Sequence, residues 1–307
     1  MKYNINKLFL LLGLTLCPFV LASCSSPESS DDPEEEQWTW NKKDKDDEKD
    51  NKDDKEQTVS AYPKPDGYFR IVTYNVGSLG KVITSVSENA SMVAAMMKEI
   101  EADVVGLNEL DSVNTRHNVN EVALLADAMG GWQWHFGRAM AYKNGAYGNG
   151  VIVPSGTKIV DKYTVALPKG SGSEPRSIAV VETDKYVIGA AHLDHMSEEA
   201  SIEQARTVNR WVEEHYRNCS KPVFFCGDMN SYPTSEAIKT LETEWERLSS
   251  TANTAPAIAP TSCIDYIFHY RKSASVTSKG GGPMTRFSDG DVTKASDHLP
   301  VYVDVKF

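Results

Sequence analysis

Short runs of β-branched and aromatic residues recur along this chain, and most of them end in an amide, a carboxylate or an imidazole. Phe69-Arg70-Ile71-Val72-Thr73-Tyr74 runs into Asn75, and Asp103 to Leu107 delivers Asn108-Glu109. Tyr186 to His192, Lys221 to Cys226 with Asp228 beyond it, and Ile264 to Phe268 with Asp265 near its start repeat the pattern. Such runs read as strands. Further strands are expected at Trp132–Arg138, Gly150–Pro154, Ile178–Thr183 and Leu299–Val305. Between them, Met92, Val93, Met96, Met97 and Ile100 recur at helical spacing over residues 86–101. Val119, Val122, Leu125, Ala126 and Met129 mark a second helix closed by Gly130-Gly131, and Ile202, Ala205, Val208, Trp211, Val212 and His215 line a third. Alternating strands and helices, with several adjacent strands that look antiparallel, predict an α/β protein of two packed sheets with helices outside.

The first 66 of the 307 residues stand apart. Lys2 and Lys7 precede an apolar run from Leu8 to Leu16, which reads as an export signal and is too short for a comfortable membrane span. The run leads to Leu21-Ala22-Ser23-Cys24, which resembles the lipobox of bacterial lipoproteins and implies cleavage before Cys24 and acylation there. The alternative is an ordinary secretory signal with an incidental cysteine. Ser25 to Asp66 carries 15 acidic and 7 basic residues with almost no aliphatic ones, so it cannot offset the entropy of ordering and reads as a disordered tether. Acidic residues soon after the cysteine also resemble the surface-export signals of Bacteroidetes lipoproteins. The expected division is therefore a signal peptide at 1–23, an acidic tether at 24–66 and a folded domain at 67–307. The expected location is the cell envelope: a monomeric outer-membrane lipoprotein facing the periplasm or the cell surface, held to the membrane by its lipid.

With +2 from the two signal lysines and −8 from the tether, the formal −11 of the whole chain leaves −5 for residues 67–307. A mildly acidic domain has no broad basic surface for gripping long duplexes by counterion release, although a local basic patch escapes a net count. Cys219, Cys226 and Cys263 are odd in number and lack zinc-ligand spacing, and Cys226 reads as a small buried hydrophobe.

The strand-end groups are Asn75, Glu109, His192 with Asp194, Asp228 with Asn230, Asp265, and Asp297 with His298 at the entry to the last strand. Singly, each has an ordinary explanation as a turn former, a helix cap or a satisfied core residue. Together they form a set of carboxylates that repels itself unless a cation neutralises it. Oxygen ligands from Asn, Asp and Glu suit a hard ion: Mg²⁺ or Mn²⁺, or Ca²⁺ in a larger cage. Two histidines beside such an ion suit phosphoester hydrolysis, one orienting or deprotonating water and the other donating to a phosphate or leaving-group oxygen.

These residues sit in ordered motifs: Thr73-Tyr74-Asn75-Val76, Gly106-Leu107-Asn108-Glu109-Leu110, Ala191-His192-Leu193-Asp194-His195, Gly227-Asp228-Met229-Asn230, Ile264-Asp265-Tyr266-Ile267 and Ser296-Asp297-His298-Leu299-Pro300. In that order they resemble the endonuclease/exonuclease/phosphatase superfamily, which includes pancreatic-type deoxyribonucleases, abasic-site endonucleases, inositol-polyphosphate phosphatases and bacterial sphingomyelinases. The resemblance covers residues 68–307, and Ala146-Tyr147-Gly148-Asn149-Gly150 and Glu174-Pro175-Arg176 resemble its metal-dependent hydrolase branch. It implies a four-layer α/β/β/α sandwich of the deoxyribonuclease-I-like type with the site at one edge. Glu109 would be the principal metal carboxylate, with Asn75 nearby and Asp297 as a further ligand or a group behind the ligands. Asp228 and Asn230 would align water and phosphate, His298 would be oriented by Asp265, and His192 would serve as the second histidine. Arg176 would contact a phosphate oxygen, unless it is spent on a salt bridge with Glu174. Asn108 stands where the family commonly has Gln, Ala191 where Thr is common, and His117 and His195 read as peripheral. The substrate class stays open among nucleic acid, a phospholipid headgroup and a phosphorylated small molecule. An inactive surface binding lipoprotein with the same fold is the alternative.

Overall fold

Strand β1 (Phe69–Asn75) is buried almost throughout, and its side chains alternate between two apolar compartments: Ile71 faces one, Val72 and Tyr74 the other. That is the pattern of a strand covered on both faces, and it sets the architecture. The computed structural model describes residues 60–307. The signal segment, Cys24 and the tether through Val59, on which the expectations of export and acylation rest, lie outside the described residues.

Two six-stranded mixed sheets pack face to face. The first joins β1 with β2 (Val104–Ser112), β3 (Gln133–Tyr142), β4 (Gly145–Val153), β11 (Thr277–Gly280) and β12 (Val301–Lys306), in the order β11-β12-β1-β2-β4-β3. The second joins β5 (Ile159–Leu167), β6 (Arg176–Thr183), β7 (Val187–His192), β8 (Val223–Asp228), β9 (Trp245–Arg247) and β10 (Asp265–Tyr270), in the order β5-β6-β7-β8-β10-β9. Helices α1 (Val86–Glu99) and α2 (Glu121–Ala128) cover the outer face of the first sheet. Helices α3 (Glu198–Tyr216) and α4 (Glu236–Glu242) cover the second, and a short α5 (Val292–Ala295) precedes β12. Ile71, Val151, Ile188, Phe224, Ile267 and Val303 fill the space between the sheets. This is the four-layer sandwich expected from the sequence.

The helices begin where the sequence supplies a cap. Ser85, Asn120, Ser197 and Ser235 each accept a backbone N–H of the first turn with the side chain, satisfying donors that the helix leaves orphaned. Strand β5 escaped detection because it lies at a sheet edge and carries Asp161 and Lys162 toward solvent. Helix α4 and strands β9 and β11 are too short to establish a period.

The packed chain also starts before the composition break. Tyr62, assigned to the tether on composition, packs edge-on against Tyr302 and at a tilt against Phe287, and accepts a bond from Arg70 Nη1 at 2.7 Å through its carbonyl oxygen. Arg70 is fully buried and also makes a fork-to-fork pair with Asp304, both contacts at 2.7 Å. Cys219, Cys226 and Cys263 are free thiols, with Cys226 buried between the sheets as expected.

In each sheet the central pair is parallel, β1 with β2 and β7 with β8, joined by crossovers that contain α1 and α3. Parallel pairing brings the C-terminal ends of these strands to one edge. Asn75 stands beside Asn108, and His192 beside Asp228. Antiparallel β10 sets Asp265 opposite Asp228, and β12 pairs with β1 so that Asp297-His298 enters next to Asn75.

Candidate active site

Side-chain parity explains why the polar groups converge. Ile71, Thr73 and Asn75 share a face of β1; Ile188, Ala190 and His192 share one of β7; Phe224, Cys226 and Asp228 share one of β8; Asp265 and Ile267 share one of β10. Each polar residue thus ends an inward row that is otherwise apolar or small, at the C-terminal end of β1, β7 and β8 and at the N-terminal end of antiparallel β10. Their side chains meet where the gap between the sheets reaches the edge.

Glu109 breaks the parity rule, and the backbone shows how. Leu107 and Leu110 both pack into the core under α1 and α2, which leaves one residue too many between them. Pairing of β2 with β4 slips at this point, and Glu109 adopts a positive φ of 57°. A bulge of this kind re-aims one side chain, and strained backbone of this sort clusters at functional sites. Regular alternation would have put Glu109 on the helix face; the bulge turns it to Asn75, whose Nδ2 donates to its Oε1 at 3.0 Å. The same Nδ2 donates to Asp228 Oδ2 at 3.0 Å, and Asn75 Oδ1 accepts from Gly77 N at 3.1 Å. Asn75 therefore ties the carboxylate of one sheet to that of the other.

Below it, Asn108 locks the sheets together. Its Oδ1 accepts from Asp228 N at 3.0 Å, and its Nδ2 donates to Ala191 O at 2.8 Å and Asn149 Oδ1 at 2.9 Å. The shorter amide in place of the family's usual Gln thus keeps a full set of partners.

Asp228 is the centre of the site. Its Oδ1 accepts from Asn230 N at 2.8 Å, and its Oδ2 lies 3.5 Å from His192 Nε2 and 3.7 Å from His298 Nε2. Burial, followed by the charge of Asp265, pushes its carboxyl up to about 7, against the pull of His298 and the Asn230 and Asn75 donors. His298 Nδ1 contacts Asp265 Oδ2 at 2.9 Å, and Thr254 Oγ1 donates to the same oxygen at 2.6 Å. Burial opposes a charge on His298, but Asp265, then Asp228 and Asp297, push its pKa up to about 10. His192 goes the other way. Burial, followed by the Arg176 guanidinium and His298, holds it well below the ordinary imidazole range. Asn230 Nδ2 donates to His192 Nε2 at 2.8 Å and is steadied by Leu193 O at 3.0 Å.

Arg176 is buried beside His192, Nη1 to Nδ1 at 3.3 Å, with Glu174 3.5 Å from the same nitrogen. The salt bridge to Glu174 is thus present, and Arg176 Nε is buried without a partner among the described residues. His195, expected to be peripheral, receives Arg176 Nη2 at 3.1 Å. Asp194 does not face the centre: it accepts from the Ser173, Met196 and Ser197 backbones and so organises the loop that leads to Arg176.

Asp297 Oδ2 meets Lys81 Nζ at 2.5 Å, while Asp297 Oδ1 is buried with no donor among the described residues. Lys81 carried no signal in the sequence. Burial works against its charge, yet the Asp297 hydrogen bond and then the field of Glu109 and Asp297 raise its pKa. The field of Glu109 and Asp297 thus favours a cation, and an orphaned carboxylate oxygen is the kind of ligand a hard cation takes. The donor set of Glu109, Asp297 and the Asn75 amide fits a divalent ion of that class. Among the described residues, two groups also have ligand atoms close enough to share an ion: buried Asp228, Asp265 and His298, and buried Asp111 and Glu121 with half-buried His117. In the first, the Asp265–His298 hydrogen bond already satisfies the imidazole; in the second, Arg116 takes both oxygens of Asp111 at 2.6 and 2.8 Å. Beside Lys81, sequence reasoning missed Thr254, which lies in a loop without periodicity, and Arg116.

Residues 72–298 match the model of the Endonuclease/Exonuclease/phosphatase family. A search of curated proteins finds no significant match. Among solved structures, a mannosyl-6-phosphatase of Bacteroides thetaiotaomicron VPI-5482 superposes with a TM-score of 0.65 at 19% identity, covering 78% of this chain and 100% of that one. The human Nocturnin catalytic domain with bound sulfate gives 0.61 at 16% identity, over 78% of this chain and 94% of that one. A humanised TDP2 of D. rerio gives 0.60 at 19% identity, over 78% and 100%. At these identities the likeness speaks to the fold, which is the deoxyribonuclease-I-like sandwich.

Proposed function

The chain belongs to the endonuclease/exonuclease/phosphatase family, and on that premise we propose that it hydrolyses phosphoesters, phosphodiesters in the first place, with a divalent cation. Glu109 and Asp297, with the Asn75 amide beside them, would hold Mg²⁺ or Mn²⁺, or Ca²⁺. When bound, such an ion draws charge from a phosphate oxygen as a Lewis acid.

The arrangement around Asp228 carries the reading. A carboxyl pushed up to about 7 and within 4 Å of two imidazoles, one cationic and one neutral, can accept a proton from water near neutral pH. Asn230 fixes the carboxylate by its backbone N–H and reaches His192 with its amide, so water and phosphate are aligned by one turn. His298, held charged by Asp265, donates toward the oxygen on which negative charge develops. His192 stays neutral against Arg176, and the two together suit a phosphate oxygen or the leaving group. In the cell we propose that Cys24 anchors the enzyme to the envelope, with its substrate in the periplasm or at the surface.

The test is a hydrolysis screen with and without chelator, over bis-p-nitrophenyl phosphate, p-nitrophenyl phosphate, DNA, RNA, sphingomyelin and sugar phosphates. Sugar phosphates belong in it because a mannosyl-6-phosphatase shares the fold. Chelator-sensitive turnover that His298→Ala abolishes is the expected result. Wild-type rates in purified His298→Ala, or turnover indifferent to chelator, would overturn the mechanism.

A further inference from the structure

A cavity of about 140 Å³ adjoins Glu109 and is lined besides by Ser78, Gly80, Lys81, Arg116 and His117. Three of these residues are basic, and a carboxylate holds each from behind. Lys81 Nζ rests on Asp297, Arg116 Nε and Nη2 grip Asp111, and His117 Nδ1 lies 2.6 Å from Glu121 Oε1. Arg116 is also stacked over Tyr142, its guanidinium carbon 5.1 Å from the ring centre. Each base nevertheless keeps donor capacity that no partner among the described residues takes up: further ammonium hydrogens on Lys81, Arg116 Nη1 and His117 Nε2. Burial pushes Glu121 up to about 9, so at neutral pH it holds the shared proton and His117 presents Nε2–H as a donor. Gly80 keeps that edge open, since a Cβ there would lie 2.7 Å from His117 Nε2. Lysine, arginine and a histidine N–H, pre-oriented and small in number, are the donors that recognise one phosphate or carboxylate.

We infer that Lys81, Arg116 and His117 form an anion subsite beside Glu109 that selects small phosphoesters carrying a second phosphate or carboxylate. The inference rests on the hydrolase reading for the position of the scissile group. Glu109 is one wall of the cavity, so an anion enters only when a cation neutralises that carboxylate, and the subsite fills together with the metal. A small substrate is favoured because the cavity has room for little more than one such group and the domain carries −5 rather than a basic track. The next phosphate of a nucleic acid strand has the same chemistry, and substrate choice separates the two sources.

Calorimetric titration of inorganic phosphate into the Mg²⁺-loaded protein is expected to give two sites in the wild type and one in Arg116→Met. Gly80→Ala, which narrows the His117 edge without removing a charge, is expected to lose the same site and guards against a folding defect in the first variant. One site in the wild type, or two in both variants, overturns the subsite. On substrates, KM for glucose 1,6-bisphosphate should lie about ten-fold below that for glucose 6-phosphate, and Arg116→Met should erase the ratio. Equal KM values, or a stronger preference for a dinucleotide than for the bisphosphate, overturn the selectivity for small substrates. Hydrolysis of bis-p-nitrophenyl phosphate or p-nitrophenyl phosphate, neither of which offers a second anion, tests the hydrolase reading by itself. Its absence beside two phosphate sites would remove the hydrolase and leave the subsite standing.

Discussion

His192 and His298 are both buried, and both lie near the same oxygen of Asp228, at 3.5 and 3.7 Å, yet their surroundings leave one neutral and the other charged. Burial alone would make both neutral. What separates them is the group behind the ring: a carboxylate, Asp265, at Nδ1 of His298, and a guanidinium, Arg176, at Nδ1 of His192. One pKa is pushed up to about 10 and the other is held well below the ordinary value. A pair of identical side chains thus becomes an acid and a neutral acceptor across one carboxylate, the separation that assigns roles in acid–base catalysis. The difference lives in the second neighbours, and it can be broken from either side.

The largest effect is expected from removing the charged partner. His298→Ala should lower kcat by about 10²- to 10⁴-fold, the usual worth of a positioned proton donor. His192→Ala should lower it less, because Arg176, proposed to contact the phosphate, is retained. Steady-state kinetics on bis-p-nitrophenyl phosphate decides; a larger loss at His192 would exchange the roles of the two rings.

Asp265→Asn breaks the comparison without removing either ring. In the metal-free protein the folded-state pKa of His298 lies above its unfolded value of about 6.5. The linked stability is therefore complete below that pH and is lost as pH climbs toward about 10. Thermal unfolding from pH 7 to 10 should show this alkaline loss in the wild type and a flatter profile in Asp265→Asn. The variant should also be less stable at pH 7, by about 3–5 kcal/mol if the cation is left without its carboxylate and by less if the ring neutralises. An unchanged alkaline slope would mean that Asp265 does not hold the charge.

How far the sequence could carry this comparison depends on where each contact lies. His192, Asp228, Asp265 and Asn75 were legible because each extends the inward row of a recognisable strand, so period-two alternation alone points them to one edge. Glu109 was read as a strand-end group like the others, but the direction of its side chain was not legible. Leu107-Asn108-Glu109-Leu110 reads as an unbroken run, and nothing in it announces the bulge that turns the carboxylate inward. Thr254 and Lys81 come from irregular loops, whose course is set by tertiary contacts such as Ala257 N to Asp297 O at 2.7 Å. His117 and His195 were read as peripheral because their meaning depends on neighbours distant in sequence, Gly80 for one and Arg176 for the other. The fold was legible for the opposite reason: burial on both faces writes itself into every central strand, and only the exposed edge strand β5 and the short elements escaped.

The smallest and sharpest test addresses the neutral ring. Arg176→Met removes the guanidinium but leaves a side chain of similar length in the same buried slot. Burial is the larger cause of the depressed His192 pKa and Arg176 the next. The pKa should therefore rise and still remain below about 6.5, the value of a free imidazole. For a histidine depressed in the folded state, linked stability is present above the unfolded pKa and is lost as pH falls. The variant should accordingly lose less stability than the wild type on acidification. Asp228, raised to about 7, runs the opposite way over part of that window, so the informative quantity is the difference between the two proteins rather than either slope. NMR titration of the His192 ring in the metal-free protein gives the pKa directly. A value that falls or stays fixed in Arg176→Met would mean that the guanidinium does not set the charge of the ring, and the contrast between the two histidines would then rest on Asp265 alone.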